Sequence, residues 1–564
     1  MRLFTTIAGL RCYLEAQRPL RAAALGGSSL PDAKHHLTQS QSGQIVDSNH
    51  PSNRSSNHPP MVGLVPTMGA LHAGHLSLIR RARQENDRVV VSIFVNPLQF
   101  GPNEDFQRYP RTLEQDERLC QEAGVDAIFA PSATELYGTP FAPIATDVTQ
   151  VIPPAAMMAG LCGAARPGHF QGVATVVTKL LNVVQPDRAY FGQKDAQQVA
   201  IIRRLVADLN VPVEIVTCPI VREADGLALS SRNRYLSPEE RSQATALYRG
   251  LQQAEQIFEA GRQFREDLIR AVKEQFSTVP LVQPEYIELV DPDTMNPLEQ
   301  VEDTALLAVA ARIGSTRLID NVLLRNRQPI VAIDGPAGAG KSTVARQVAQ
   351  QLGLLYLDTG AMYRAVTWKV LQSGIAIDDE PAIAELVSQS DIQLEQAVPQ
   401  DSGSSPYALR VWIDGEEVTQ AIRTLAVTEQ VSAIAALSTV RRELVKRQQA
   451  YGRRGGIVMD GRDIGTYVFP DAELKIFLTA SVQERARRRL EDLKRQNQPL
   501  VSLPELEAAI AERDRKDSTR QLAPLRKAAD AIEINSDDLT VADVTARIVS
   551  LYQENCLRYP EAVS

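Results

Sequence analysis

From residue 62 onward, short runs of β-branched and apolar residues alternate with longer stretches that carry helical spacing. Runs at 62–65, 89–95, 125–129 and 211–216 predict strands, and the segments between them are long enough for helices. Strands separated in this way predict a parallel sheet wrapped by helices. Past Ser237, SPEERSQATALYRGLQQAEQIFEAG (237–261) predicts one helix with an acidic first turn and a stop at Gly261. Runs at 286–290, 305–311 and 316–319 predict three more strands, and with them a smaller α+β subdomain over 238–325. A further apolar run at 330–333 reads as a buried strand, with helix formers at 343–352 behind it.

Two stretches break the alternation. Residues 26–60 follow a short first element, are rich in Gly, Ser, Asn, Gln, Pro and His, and predict a mobile insertion. It carries His35, His36, His50 and His58, four of the seven histidines, whose irregular spacing predicts solvated side chains rather than metal ligands. Residues 395–405 are polar and predict a loop, while runs at 407–413 and 417–418 around Asp414-Gly415 predict a hairpin.

At 564 residues the chain exceeds what one core fills, so two domains are expected, 1–325 and 326–564. There is scarcely a linker between them and no internal repeat relating them. No apolar run approaches the length of about 18 residues that spans a bilayer, so no membrane partner is expected. The net charge of -8 argues against broad nucleic-acid binding and leaves small anionic substrates open. Five cysteines without a C-x-x-C pair indicate neither a disulfide framework nor a zinc site, and predict a reducing cytoplasm. Arg11 and Glu15 interrupt the N-terminal apolar stretch, which argues against a secretory signal and leaves an organellar transit peptide as the alternative.

Two separate strings carry chemistry. PTMGALHAGH (66–75) follows the first strand and opens a helix, where backbone donors and the positive helix end favour phosphate. The imidazoles of His72 and His75 can stabilise charge as a phosphoanhydride breaks, which suits nucleotidyl transfer. GPAGAGKS (335–342) satisfies the full P-loop pattern between a strand and a helix. Gly335, Gly338 and Gly340 let backbone N–H groups approach phosphate, Lys341 reaches the β/γ-phosphates, Ser342 can ligate Mg2+, and Thr343 follows. ATP is the expected cosubstrate of both strings. Phosphoryl transfer needs neutralising charge, and Arg364, Arg423, Arg441, Arg462, Arg513 and Arg520 are candidates to supply it.

Together with PTMGALHAGH, the strings at 92–112 (SIFVNPLQFGPNEDFQRYPRT), 166–198 and 225–237 (DGLALSSRNRYLS) resemble pantothenate synthetase over residues 61–321. The resemblance implies a Rossmann-like nucleotidyltransferase domain that joins pantoate to β-alanine through a pantoyl adenylate, and a homodimer formed through the first domain. It implies that Met68, Gly69, His72, His75, Gly192, Lys194, Asp195, Ser230, Ser231 and Arg232 hold ATP, that Gln99 and Gln198 hold pantoate, and that Arg166 and His169 act as gate residues. Unlike that family, this chain interposes 26–60 before the strand leading to PTMG, which bears on where its first strand and helix lie. Cytidylyltransferases and aminoacyl-tRNA synthetases also use H-x-G-H strings, although the acidic charge weighs against the latter.

LLYLDTGAMYR (354–364), GEEVTQAIRT (415–424), GIVMDGRDIGTYVFPDAELKIFLTAS (456–481) and ERDRKDSTRQLAPL (512–525) resemble bacterial-type cytidylate kinase from residue 329 to the C-terminus. The resemblance implies a P-loop nucleoside monophosphate kinase domain acting on CMP or dCMP. Thr359, Arg364, Arg441, Arg462 and Asp463 would line the monophosphate pocket, Asp460 would orient Mg2+, and Arg513 and Arg520 would belong to the lid. Dephospho-coenzyme A kinase is the nearest rival, and DTGAMYR and DGRDIG argue for cytidylate. Loss of turnover in one half, leaving a nucleotide-sensing module, is a third alternative.

Overall fold

A computed structural model describes residues 1–17, 60–102, 104–138, 148–396, 409–495, 501–520 and 522–556. The insertion predicted at 26–60, with its four histidines, lies outside these residues except for Pro60. The chain divides into two compact units, one of Met1–Gln252, Val272–Pro297 and Leu306–Val322, the other of Gln253–Ala271, Leu298–Ala305 and Leu323–Ser564.

The first sheet is built from β1 (Arg2–Phe4), β2 (Val62–Thr67), β3 (Arg88–Ile93), β4 (Ala127–Phe129), β5 (Arg188–Gly192) and β6 (Glu214–Cys218). Its order is β1-β4-β3-β2-β5-β6 and its pairs are parallel. Val89, Val90 and Val91 of β3 are fully buried, as strands covered on both faces require. Winding proceeds from β2 to β3 and β4 on one side and to β5 and β6 on the other, so the chain reverses direction between β2 and β5. A crevice opens at the C-terminal ends of such a pair, and this is where ligands bind in open α/β sheets. β1 answers the question that the insertion raised: it joins the sheet as an edge strand on β4, with Leu3 opposite Ile128.

A second sheet is antiparallel where β7 (Val282–Val290) meets β8 (Thr304–Ile313), and β9 (Thr316–Arg325) completes it. The remaining strands are β10 (Ile330–Asp334), β11 (Leu355–Asp358), β12 (Ile392–Gln396), β13 (Leu409–Ile413), β14 (Glu416–Glu417), β15 (Ile457–Gly461), β16 (Leu474–Thr479) and β17 (Ile532–Asn535). A five-stranded sheet of order β11-β15-β10-β16-β17 pairs in parallel throughout. β10 is buried along its length: Ile330 and Ala332 face one apolar core, Val331 and Ile333 the other. The period-two alternation of a strand thus serves two helical layers at once. Among the described residues no helix is long and apolar enough to cross a membrane.

Several expectations need correction. The helix expected over 237–261 is two, Pro238–Ala244 and Ala246–Glu259, interrupted at Thr245, whose Oγ1 bonds the Ser242 carbonyl at 2.8 Å. Gly261 does adopt a left-handed conformation (φ 89°). Glu395 and Gln396, expected in a loop, are the end of β12 and pair with Arg410 and Leu409; residues 397–405 lie outside the described ones. The helix after the P-loop begins at Lys341 rather than Thr343. The hairpin of β13 and β14 turns through Asp414 (φ 51°) and Gly415 (φ 79°), the two positive φ angles that such a two-residue turn demands.

Candidate functional site

At the end of β2 the chain turns sharply through Gly69 (φ 80°) and Ala70 (φ 51°). Ala70 has a Cβ and resists the left-handed region, so something must hold it there. The buried carboxylate of Asp116 does so, accepting from the Ala70 N–H at 3.0 Å and the Leu71 N–H at 2.8 Å. The turn delivers His72 to the N-cap of the helix Ala73–Glu85, where Nδ1 accepts the Gly74 N–H at 3.1 Å and leaves the ring proton on Nε2. The His72 and His75 rings lie 4.1 Å apart. Burial, reinforced by Lys194, lowers His72 to about 4, and burial with His72 and Lys194 lowers His75 to about 3. Both rings are therefore neutral at pH 7. The buried Nδ1 of His75 has no partner among the described residues.

β5 supplies the opposite wall. It runs into the turn Gln193–Asp195, where Lys194 Nζ lies 3.4 Å from the Asp195 carboxylate. Burial alone would raise Asp195, but Lys194 outweighs it and the carboxyl stays below its usual range. Asn321 of β9 fixes this turn by donating Nδ2 to the carbonyls of Gln193 and Lys194, each at 3.0 Å. Gln99 sits on the short turn Pro97–Gln99, and its amide donates to Met68 Sδ at 2.9 Å. The helix His169–Val184 closes over that turn only because residue 172 is glycine: a Cβ there would meet the Leu98 carbonyl oxygen at 2.3 Å.

Met68, His72, His75, Gln99, Gly192, Lys194, Asp195, Gln198, Ser230, Ser231 and Arg232 line one cavity of about 230 Å³. Gly69 is not on its wall and serves the turn behind it. Arg166 and His169 line the cavity as well. Arg166 forks onto Glu104 (2.6 and 2.5 Å) and donates to His169 Nε2 at 2.9 Å, while His169 Nδ1 donates to the Gln99 carbonyl at 2.8 Å. Arg232 forks onto Asp105 at 3.1 and 2.9 Å. Burial works against the Arg232 charge, but Asp105 more than restores it. Two neutral imidazoles, a lysine and a fork-shaped guanidinium converge here, a donor set suited to a polyphosphate.

The second constellation forms at the C-terminal ends of β10, β11 and β15. Gly335 (φ 150°) opens the P-loop, and a Cβ there would lie 1.9 Å from the Leu478 carbonyl oxygen. Lys341 is buried and donates to the Pro336 carbonyl at 2.8 Å; burial, helped by Arg462, lowers its pKa well below the usual lysine range. Asp460 gathers three groups: its carboxylate accepts from Ser342 Oγ at 2.7 Å and Tyr356 Oη at 3.0 Å, and its carbonyl from Thr359 Oγ1 at 2.7 Å. Arg441, fully buried, pairs with Asp463 and stacks over Tyr363, and Arg520 approaches Asp463 at 3.6 Å. Arg364 pairs with Asp358 at 2.9 Å and Arg462 with Asp517 at 2.9 Å. Arg513 has a buried Nε without a partner among the described residues, whereas Thr343 and Arg423 are exposed.

The Pantoate-beta-alanine ligase family model matches residues 40–323, and the Cytidylate kinase model matches residues 331–554. A bifunctional pantoate ligase/cytidylate kinase of Trichormus variabilis is 62% identical over 555 residues, covering 98% of this chain and 99% of its own. The chain belongs to the bifunctional pantoate ligase/cytidylate kinase family. It is an enzyme with a ligase half and a kinase half. A relative of the same description from Trichodesmium erythraeum is 53% identical over 563 residues, with 99% and 98% of the two chains covered. A crystal structure of pantothenate synthetase from Thermus thermophilus is 45% identical, with 57% of this chain and 99% of that one covered and a TM-score of 0.47.

Sequence reasoning missed residues that hold both sites in shape. In the ligase half these are Asp116, Asn321 and Asp320, the last forked onto Arg222 at 2.6 and 3.0 Å. In the kinase half, Asp334 accepts the N–H groups of Ile464 (2.8 Å) and Gly465 (2.7 Å), and burial raises it to about 7. Arg485, buried, donates to the P-loop carbonyl of Ala337 at 3.1 Å and forks onto Asp514 at 3.0 and 2.6 Å. It sits beside the triplet of arginines at 487–489 and nothing in the string separates it from them.

Proposed function

We propose that the ligase half condenses pantoate with β-alanine and that the kinase half phosphorylates CMP or dCMP, each at the expense of ATP. The pantoate carboxylate attacks the α-phosphorus of ATP and pyrophosphate leaves, giving a pantoyl adenylate. The β-alanine amine then attacks the carbonyl carbon, the C–O bond to phosphate breaks, and AMP departs with the electron pair. The amine proton passes to solvent and pantothenate remains.

The observation that carries this reading is the neutral histidine pair facing Lys194 across one cavity that also holds two uncharged amides, Gln99 and Gln198. Donor N–H groups of His72 and His75 stabilise phosphate oxygens, Lys194 offsets charge growing at the α-phosphate, and Ser230, Ser231 and Arg232 take the pyrophosphate. Asp195 suits the ribose hydroxyls. The amides bind pantoate without placing a second negative charge beside its carboxylate.

In the kinase half, Gly335, Gly338, Gly340, Lys341 and Thr343 cradle the ATP phosphates, Thr359, Arg364, Arg441, Arg462 and Asp463 take the monophosphate, and Arg513 and Arg520 close over the transfer. The hydroxyl of Ser342 and the carboxylate of Asp460, 2.7 Å apart, are hard oxygen donors that fit Mg2+. When bound, that ion neutralises β/γ-phosphate charge. A cytoplasmic setting and a homodimer through the ligase half complete the reading; sedimentation of the purified chain tests the latter.

Incubation with ATP and Mg2+, with pantoate plus β-alanine in one sample and CMP in the other, tests the whole. AMP in the first and ADP with CDP in the second are expected. A sample that yields no product removes the assignment for that half.

A further inference from the structure

Asp334 ends β10 and immediately precedes the P-loop, a place from which a carboxylate would be expected to serve ATP. Its bonds run the other way. It is 4% exposed, and both oxygens reach across to the segment that follows β15: Oδ1 accepts the Ile464 N–H at 2.8 Å and Oδ2 the Gly465 N–H at 2.7 Å. Lys341 of the P-loop gives its hydrogen bond to the Pro336 carbonyl instead.

The two N–H groups open a short, wide helical turn, Ile464–Val468, which closes through bonds from the Tyr467 and Val468 N–H groups to the Asp463 carbonyl at 2.8 and 3.1 Å. The first N–H groups of a helical segment have no partner within it, and the side chain just ahead of the segment ordinarily satisfies them, most often Asp, Asn, Ser or Thr. Asp463 stands in that position with a suitable side chain, yet it caps nothing. Its carboxylate turns to Arg441 and, at 3.6 Å, to Arg520. Gly465 lets the other carboxylate take over: a Cβ there would come within 3.2 Å of Lys475 and 3.4 Å of Asp334.

We infer that Asp334 is a positioning residue of the monophosphate site: by capping the 464–468 turn from a neighbouring strand, it releases Asp463 to hold Arg441 and Arg520. Without Asp334 the Ile464 and Gly465 N–H groups would be buried and unpaired, which is costly, and Asp463 is the carboxylate next to them in the chain. Turning back to cap its own segment, Asp463 would leave both arginines. This rests on the kinase reading and deepens it: the strand that leads into the ATP loop also sets the site of the acceptor nucleotide.

The test is steady-state CDP formation by the full chain. Asp334→Asn keeps the side-chain shape but offers one acceptor oxygen to two N–H groups. It is expected to raise the KM for CMP about tenfold while the KM for ATP stays within about twofold. A double-mutant cycle shows whether the effect passes through Asp463. Once Asp463→Asn has raised the KM for CMP, adding Asp334→Asn is expected to change it by less than about twofold, whereas a merely structural role would multiply the two effects. In a folded variant, an unchanged KM for CMP, an equal rise in the KM for ATP, or multiplied effects in the double variant each overturn the assignment. Thermal melting establishes the fold. If the Asp334→Asn kinase half shows no melting transition, Gly465→Ala takes its place, since the added Cβ crowds the N–H off the carboxylate and leaves Asp334 intact. There the KM for CMP is expected to rise a few-fold, about threefold or more, at an unchanged KM for ATP, and an unchanged KM for CMP overturns the assignment. Failure of the unmodified chain to phosphorylate CMP removes the kinase reading itself, a result distinct from all of these.

Discussion

In both halves, carboxylates from a covering segment occupy the arginines that face the site, but the segments differ in kind. In the ligase half Glu104 and Asp105 are chain neighbours, and they diverge to Arg166 and Arg232. In the kinase half Asp514 and Asp517 are three residues apart on the helix Leu503–Thr519, and they reach Arg485 and Arg462. Residues three apart share a helical face, so any displacement of that helix would break both pairs together. Adjacent residues in an irregular connection can release one arginine and keep the other. The ligase cover is thus expected to be divisible and the kinase cover to act as one piece. The sites also differ in their linings: two neutral imidazoles with a lysine and an arginine in one, several guanidinium groups in the other.

Lys341→Ala is expected to abolish CMP phosphorylation and spare pantothenate formation, and His75→Ala to do the reverse, each by about 10²–10⁴-fold in kcat. Coupled assays of both products on each variant check this, and loss of both activities from one substitution would break the separation of the halves. Next in size, Asp514→Ala leaves Arg485 buried and unpaired. Denaturant unfolding followed in the kinase half is expected to show a loss of about 3 kcal/mol, and no loss would mean that the helix is not anchored there.

The histidine pair sharpens the contrast through pH. In the folded chain His72 and His75 titrate at about 4 and about 3, below the ordinary histidine value. Between about 6.5 and 4 the unfolded chain therefore binds protons that the native chain does not, so this contribution to stability falls as pH falls through that window. A double variant, His72→Gln with His75→Asn, is expected to flatten the slope in a pH series of unfolding midpoints. The smallest expected effect comes from Asp105→Asn, which frees Arg232: the KM for ATP should fall about threefold to tenfold and pyrophosphate should inhibit more strongly. Glu104→Gln, acting on Arg166, should leave both values nearly unchanged. Equal responses from the two would show that the cover is not divisible.

The parts legible in the sequence were those written contiguously. PTMGALHAGH and GPAGAGKS fall at the ends of β2 and β10 because strand, turn and helix are consecutive in the chain, and the apolar runs marked β2, β3, β4 and β6 of the first sheet and β10 of the five-stranded one. The supports were not legible because each belongs to a distant segment. Asp116 holds a turn 46 residues earlier, Asn321 one about 128 residues earlier, and Arg485 a P-loop carbonyl 148 residues away. As letters, Asp116 is one of four acidic residues in LEQDERLCQE, and nothing in the string distinguishes it. The break at Thr245 was equally hidden, since threonine is compatible with a continuous helix and its side chain bonds back only once the fold is formed.

The junction before β10 has a consequence for anyone who would cut the chain in two. Arg327 forks between Asp471 and Glu473, Arg325 reaches Asp471 at 3.2 Å, Glu473 accepts the Ile330 N–H at 2.8 Å, and Gln328 exchanges backbone hydrogen bonds with residues 454 and 456. All of these lie within the second compact unit. A scissile site chosen by motif alone, just ahead of Ile330, would strip a kinase fragment of its own fastening, take both arginines from Asp471 and leave Glu473 with only the Ile330 nitrogen. An excised kinase should begin no later than Leu323.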